Sequence, residues 1–153
     1  GVVRPLRHGK QTQRENESVN KLSEENPSVS AYFDEVKYLL ITEPSIGSFD
    51  ILREVVKEKE GLIRIRAMLS NKGILEIFEY VTIDREKPVV NTYSFHWQDG
   101  RGNLLSRWDN APHHKEVTRF PHHRHLENGV VSSKQVTLRE VLEIIQEEIS
   151  QQM

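Results

Sequence analysis

Residues 108–125 read WDNAPHHKEVTRFPHHRH, and five of the chain's seven histidines fall within these eighteen positions, with His96 upstream and Arg107, Arg119 and Arg124 beside or among them. Imidazole has an ordinary pKa of about 6.5, so one copy can accept a proton while another donates one near neutrality. Two histidines can therefore run an in-line transfer at phosphorus without a metal. The planar fork of an arginine suits a phosphate gripped by two hydrogen bonds, and an aspartate can hold an imidazole in one tautomer. The expected centre comprises His96, Arg107, Asp109, Asn110, His113, His114, His122, His123 and His125. Within it, His113 and His123 are expected as base and acid, Arg107 as the phosphate holder, and Asp109 as the group that orients a histidine. Arg119 and Arg124 are expected to bind substrate.

Other chemistries compete for the same residues. His123 and His125, one residue apart, could join an Asp109 oxygen around zinc, manganese or nickel. Adjacent histidines point in different directions, so each of the pairs His113-His114 and His122-His123 offers one ligand at most. The favoured reading needs no metal or other cofactor. In a third reading the imidazoles satisfy loop carbonyls, with Asp109 and Asn110 turning the chain into Pro112. For a single histidine that is an even match, but six of the seven lie between positions 96 and 125, which weakens it for the group. Arg107 alone is more often a cross-strand ion-pair partner. Arg64 and Arg66 in LIRIRAM read as a solvated sheet face with no site implied. Trp97, Trp108 or Phe120 could stack an unpaired base, although alternation assigns the tryptophans to the core. From 95 to 125 there are five Lys or Arg against three Asp or Glu, a local excess that favours an anionic substrate.

The whole chain constrains these options. Its 153 residues, 36% hydrophobic and 29% charged, suit one soluble domain. A formal charge of −2 supplies no global attraction for nucleic acid. Cysteine is absent, which removes disulfides, thiolate nucleophiles and cysteine-ligated metals. No apolar run approaches the roughly 20 residues that cross a bilayer, and no hydrophobic leader opens the chain. A cytoplasmic protein without a membrane partner is expected.

Several elements must position the cluster. Gly1 to Asn26 is polar and without periodicity, and is expected to be a tail ahead of a domain over 27–153. Tyr32, Phe33, Val36, Leu39 and Leu40 recur at helical spacing after Asn26 and Ser28, both suitable caps, and TEPSIG at 42–47 ends the helix. Five strand-like runs follow, SFDILREVVKEK, GLIRIRAMLS, ILEIFEYVTI, VVNTYSFHW and NLLSRWD, with turn signals at 71–73 and 99–102. Short connections demand an antiparallel meander. VTLREVLEIIQEEI closes the chain as a helix, with Thr137 and Glu140 in a capping box, Val136 and Val141 in a hydrophobic staple, and an apolar stripe through Leu138, Val141, Leu142, Ile145 and Ile149. The expected fold is α+β, an antiparallel sheet of about five strands with an N-terminal and a C-terminal helix on one face. Alternation puts Val89, Tyr93, Phe95 and Trp97 on one side of their strand and Val90, Thr92, Ser94 and His96 on the other. A hairpin at 99–102 would set Trp97 near Leu104 and Tyr93 near Trp108, bringing Arg107 and Asp109 to the His96 side. A slip of one residue would invert that.

YSFHWQD, RWDNAPHH and FPHHRH, followed by a capped amphipathic helix, resemble the TumE family of toxins from toxin–antitoxin pairs. The resemblance covers about Tyr32 to Ile149 and carries over Asp109, Asn110, His113, His114, His122, His123 and His125, with His96 and Arg107 in the flanking strands. It implies a small intracellular toxin neutralised by a cognate antitoxin, usually a helix-turn-helix DNA-binding repressor. The family name leaves the toxic chemistry open. The histidines add the expectation of a metal-independent ribonuclease with RNA as substrate. A noncatalytic protein that binds antitoxin or nucleic acid through the same patch, or a histidine-ligated metal-dependent hydrolase, is the alternative. A homodimer stays open.

Overall fold

A computed structural model describes residues 28–110, 123–126, 129–132 and 135–152. The expected tail at 1–26 lies outside these residues. Helix α1 (Val29–Thr42) begins at Ser28, whose hydroxyl accepts the amide of Ala31 at 3.0 Å. Helix α2 (Leu138–Gln151) begins at Thr137, where the threonine and Glu140 satisfy each other's backbone amides in the expected capping box.

Between the helices run β1 (Ile46–Val56), β2 (Glu60–Leu69), β3 (Ile74–Asp84), β4 (Lys87–Gln98), β5 (Leu104–Asp109), β6 (His123–Leu126) and β7 (Gly129–Ser132). Among the described residues they form one antiparallel sheet in sequence order, a meander of seven strands rather than about five. The first five match the five runs read from the sequence. The other two are four residues each, too short for alternation to announce them, and exist by pairing onto the open edge of β5.

One face of the sheet meets both helices. Ile63, Ile65, Ala67, Leu75, Ile77, Tyr93, Phe95, Trp97 and Trp108 form a continuous apolar core with Phe33, Val36 and Leu40 of α1 and Val141, Leu142, Ile145 and Ile149 of α2. Gly61 admits the start of α1, since a Cβ there would stand 2.5 Å from Val29 Cγ1 and 2.6 Å from the Val55 carbonyl. The β3–β4 hairpin turns on Arg85 and Glu86, both at positive φ (50° and 66°), without the usual glycine or asparagine.

The β4–β5 register decides which residues share the other face. Trp97 stands opposite Ser106, Phe95 opposite Trp108 and His96 opposite Arg107, two residues away from the expected alignment. Two single steps produce the offset. Asp99 Oδ1 accepts the amides of Arg101 and Asn103, closing a turn one residue longer than expected, and a bulge at Leu105 adds a second residue. Two odd steps make an even one, so the side-chain faces are preserved.

Candidate functional site

On the face turned away from the helices, cross-strand pairing lays the polar residues in two adjacent rows. One runs Arg64, Phe78, Ser94 and Asp109 across β2 to β5, where the backbone of His123 pairs opposite Asp109. The other runs Arg66, Glu76, His96, Arg107 and His125. His96 and His125 therefore stand opposite Arg107 on its two neighbouring strands. Arg64, Glu76, Phe78, Ser94, His96 and Arg107 line a shallow depression of about 190 Å³.

Asp109 anchors one side of this arrangement. Although it belongs to the outer face, it is only 1% exposed. Its Oδ2 lies 3.1 Å from both Arg107 Nε and His125 Nε2. The carboxylate thus faces two groups that can be positive at once. Arg107 remains the more open partner, with its side chain 42% exposed. It can hold Asp109 while meeting a ligand from the depression.

Asn110 acts as a clamp at the point where β5 ends. Its Oδ1 accepts the Tyr93 amide at 2.9 Å and its Nδ2 donates to the Asn91 carbonyl at 2.8 Å. Asn91 is the extra residue of a bulge opposite β3, so its carbonyl is available to a side chain. The amide of Asn110 thereby continues the β4–β5 ladder and fixes the backbone next to Asp109. Its reach is to the backbone of β4, not to the depression.

Arg124 also differs from expectation. Opposite Trp108 in the register, it projects to the helix side of the sheet, where Nε donates to Ser106 Oγ at 2.6 Å and the guanidinium lies 4.7 Å from the Trp108 ring centre. Burial pulls its pKa below the usual arginine value. Its contacts are those of a strand-packing residue, separated from His96 and Arg107 by the sheet itself. The reason is parity: adjacent strand residues point to opposite faces, so Arg124 cannot share the face of His125.

Four expected site residues, His113, His114, Arg119 and His122, lie outside the described residues. For His123, the described feature is its backbone position opposite Asp109. Among the described residues, no three His, Asp or Glu side chains form a metal-binding group. The structure brings together His96, Arg107, Asp109 and His125, and adds Arg64, expected only as part of a solvated face with no site implied, Ser94, expected only to share the His96 face, and Glu76 and Phe78, for which the sequence suggests no role. Arg64 and Arg66 were read correctly as exposed face residues, but their alignment with His96 and Arg107 follows only from the register of three strand pairs.

An antiparallel meander with an arginine between two imidazoles defines a small α+β protein with a polar site on its helix-free face. The chain belongs to the TumE family, described as toxin TumE, whose family model matches residues 36–153. That match includes every strand and the histidine-rich segment. No curated protein and no solved structure matches the chain. Membership in a toxin family implies an antitoxin partner in general. Among the described residues no helix is long and apolar enough to cross a membrane.

Proposed function

We propose that this toxin is a metal-independent ribonuclease that acts at Arg107 and its two flanking imidazoles. The observation that carries the reading is the pairing of Arg107 with His96 on one side and His125 on the other, with Asp109 in contact with Arg107 and His125. Arg107 holds the scissile phosphate and stabilises charge that develops on its nonbridging oxygens. His125, oriented by Asp109, takes the proton of the neighbouring 2′-hydroxyl. The 2′-oxygen then forms a bond to phosphorus as the bond from phosphorus to the 5′-oxygen breaks. His96 gives a proton to that leaving oxygen, so the products are a 2′,3′-cyclic phosphate and a free 5′-hydroxyl. DNA lacks the nucleophile and resists.

This assignment favours His96 and His125 over the His113 and His123 pair expected from the sequence, because the arginine lies between them. His113, His114, His122, His123 and Arg119 are read as further contacts around the same substrate. Asn110 is a positioning residue, since its hydrogen bonds hold the strands that carry Tyr93 and Asp109. The partner is proposed to be a helix-turn-helix antitoxin that covers the Arg107 face and so buries the active groups. The proposed location is the cytoplasm.

The test is cleavage of single-stranded RNA by the purified full chain under exhaustive chelation, with analysis of the product ends. A cyclic phosphate formed in chelator, and lost in His96→Ala and His125→Ala variants that stay folded, is the expected result. Activity that disappears in chelator and returns with one divalent ion selects a metal-dependent hydrolase instead. RNA binding without any product under every metal condition selects the noncatalytic alternative. Growth arrest on expression, relieved by coexpressing the adjacent antitoxin, tests the biological role separately.

A further inference from the structure

The depression is chemically two-ended. Arg107 and His96 provide the cationic and proton-transferring end, whereas the far end is built by Arg64 of β2 with Glu76 and Phe78 of β3. Arg64 lies over the Phe78 ring, its guanidinium carbon 4.7 Å from the ring centre. Phe78 is half-buried and Arg64 exposed. The aromatic ring thus supports one face of a planar cation whose other side meets solvent. A guanidinium held in this way is a surface on which a flat heterocycle stacks. Glu76 beside it repels a phosphate but can accept a hydrogen bond from the amino edge of a base.

Neighbouring strands are ~4.8 Å apart and residues rise ~3.4 Å along a strand, so Arg64 and Arg107, three strands and two residues apart, stand ~16 Å apart at the backbone. Their long side chains reach inward over the same depression. That separation suits a nucleotide chain laid across the strands, with a phosphate at one end and a base at the other, better than a lone phosphate ion. We propose that Arg64, supported by Phe78, is the nucleobase platform of this site, which binds single-stranded RNA with a base on Arg64 and a phosphate at Arg107. The proposal rests on the ribonuclease reading for its choice of RNA.

Its test measures binding separately from cleavage. The probe is a fluorescent 2′-O-methyl oligoribonucleotide of about eight nucleotides, which has no free 2′-hydroxyl to attack, compared with an abasic strand of the same length and phosphate content. Anisotropy titrations at one fixed salt concentration report both affinities. The wild-type chain is expected to bind the base-bearing strand ~10-fold more tightly, a value within the range of one stacked base. Arg64→Lys keeps the charge but removes the plane, and is expected to bring the two affinities within ~2-fold while binding the abasic strand as before. Phe78→Ala is expected to change the preference in the same direction. A base preference that survives intact in Arg64→Lys overturns the platform. Equal wild-type affinity for both strands also overturns it, yet leaves RNA binding in place. No measurable affinity for either strand removes the RNA reading and the platform together.

Discussion

Two carboxylates, Glu79 and Asp109, are each 1% exposed, yet the sheet puts them in opposite surroundings. Glu79 lies on the helix side among apolar residues, where it accepts a hydrogen bond from the Tyr32 hydroxyl at 2.7 Å. With no cation against it among the described residues, burial pushes its pKa up to about 7, and the Tyr32 hydrogen bond offsets only part of that rise. Burial, and after it the nearness of Glu79, raises the pKa of Tyr32 in turn. Asp109 lies on the outer face, against Arg107 and His125. Equal burial therefore has two uses. A carboxyl among apolar groups and one hydroxyl joins a helix to a sheet; one between a guanidinium and an imidazole arranges charge at an open surface.

The largest expected contrast comes from removing each carboxylate while preserving its shape. Asp109→Asn should lower RNA cleavage by about 10²- to 10⁴-fold, the usual range for lost acid–base function, because His125 and Arg107 lose the negative charge that faces them. Glu79→Gln, measured per folded molecule, should remain within about twofold of wild type. Rates from single-turnover assays check both, and a fully active Asp109→Asn would break the comparison.

Next in size is an effect of pH on stability. Glu79 titrates near 4.5 when unfolded and at about 7 when folded, so between these values the folded state alone retains the proton. Its stabilising contribution is complete below about pH 4.5 and is lost as pH rises toward about 7, a loss of roughly 3 kcal/mol. Urea unfolding from pH 4 to pH 8 should show this fall in the wild type and a flatter profile in Glu79→Gln. Identical profiles would remove the distinction between the two carboxylates.

Tyr32→Phe sharpens the same point. Loss of the hydrogen bond should cost about 1 kcal/mol at acidic pH and more once Glu79 ionises. Because the Tyr32 bond lowers the Glu79 pKa, the stability transition should also move to higher pH in this variant. The smallest effect is reserved for Thr137→Ala, which removes one half of the α2 capping box. It should destabilise the fold by about 1 kcal/mol and leave the cleavage rate of folded protein unchanged, as measured by thermal melting beside the same assay. A rate loss here would mean that the two faces of the sheet are coupled.

Much of this contrast is visible in short stretches of sequence. In ILEIFEYV, Glu79 occurs in alternation with Leu75, Ile77 and Val81, a sign that it turns inward, although the sequence reading drew nothing from it. The first five strands, both helices, the capping box and the sharing of one face by His96, Arg107 and Asp109 were all legible. Strands β6 and β7 were not, because four-residue segments contain too few positions to display a period. The inward course of Arg124 was hidden for the same reason: its side follows from parity only once β6 is known to be a strand.

Local periodicity, caps and turn residues act within a few positions of one another, so the amino-acid order alone determined the strands, the helices and the two-sided character of the sheet. Which outer residues became neighbours depended on events beyond that range. A turn one residue longer than expected and the bulge at Leu105 together set His96 against Arg107, and the return of β6 added His125 on the other side. Two further registers aligned Arg64 and Phe78 with that group. Tertiary structure decided these contacts because alternation specifies only which side of a strand a residue occupies, whereas pairing between strands specifies what stands beside it.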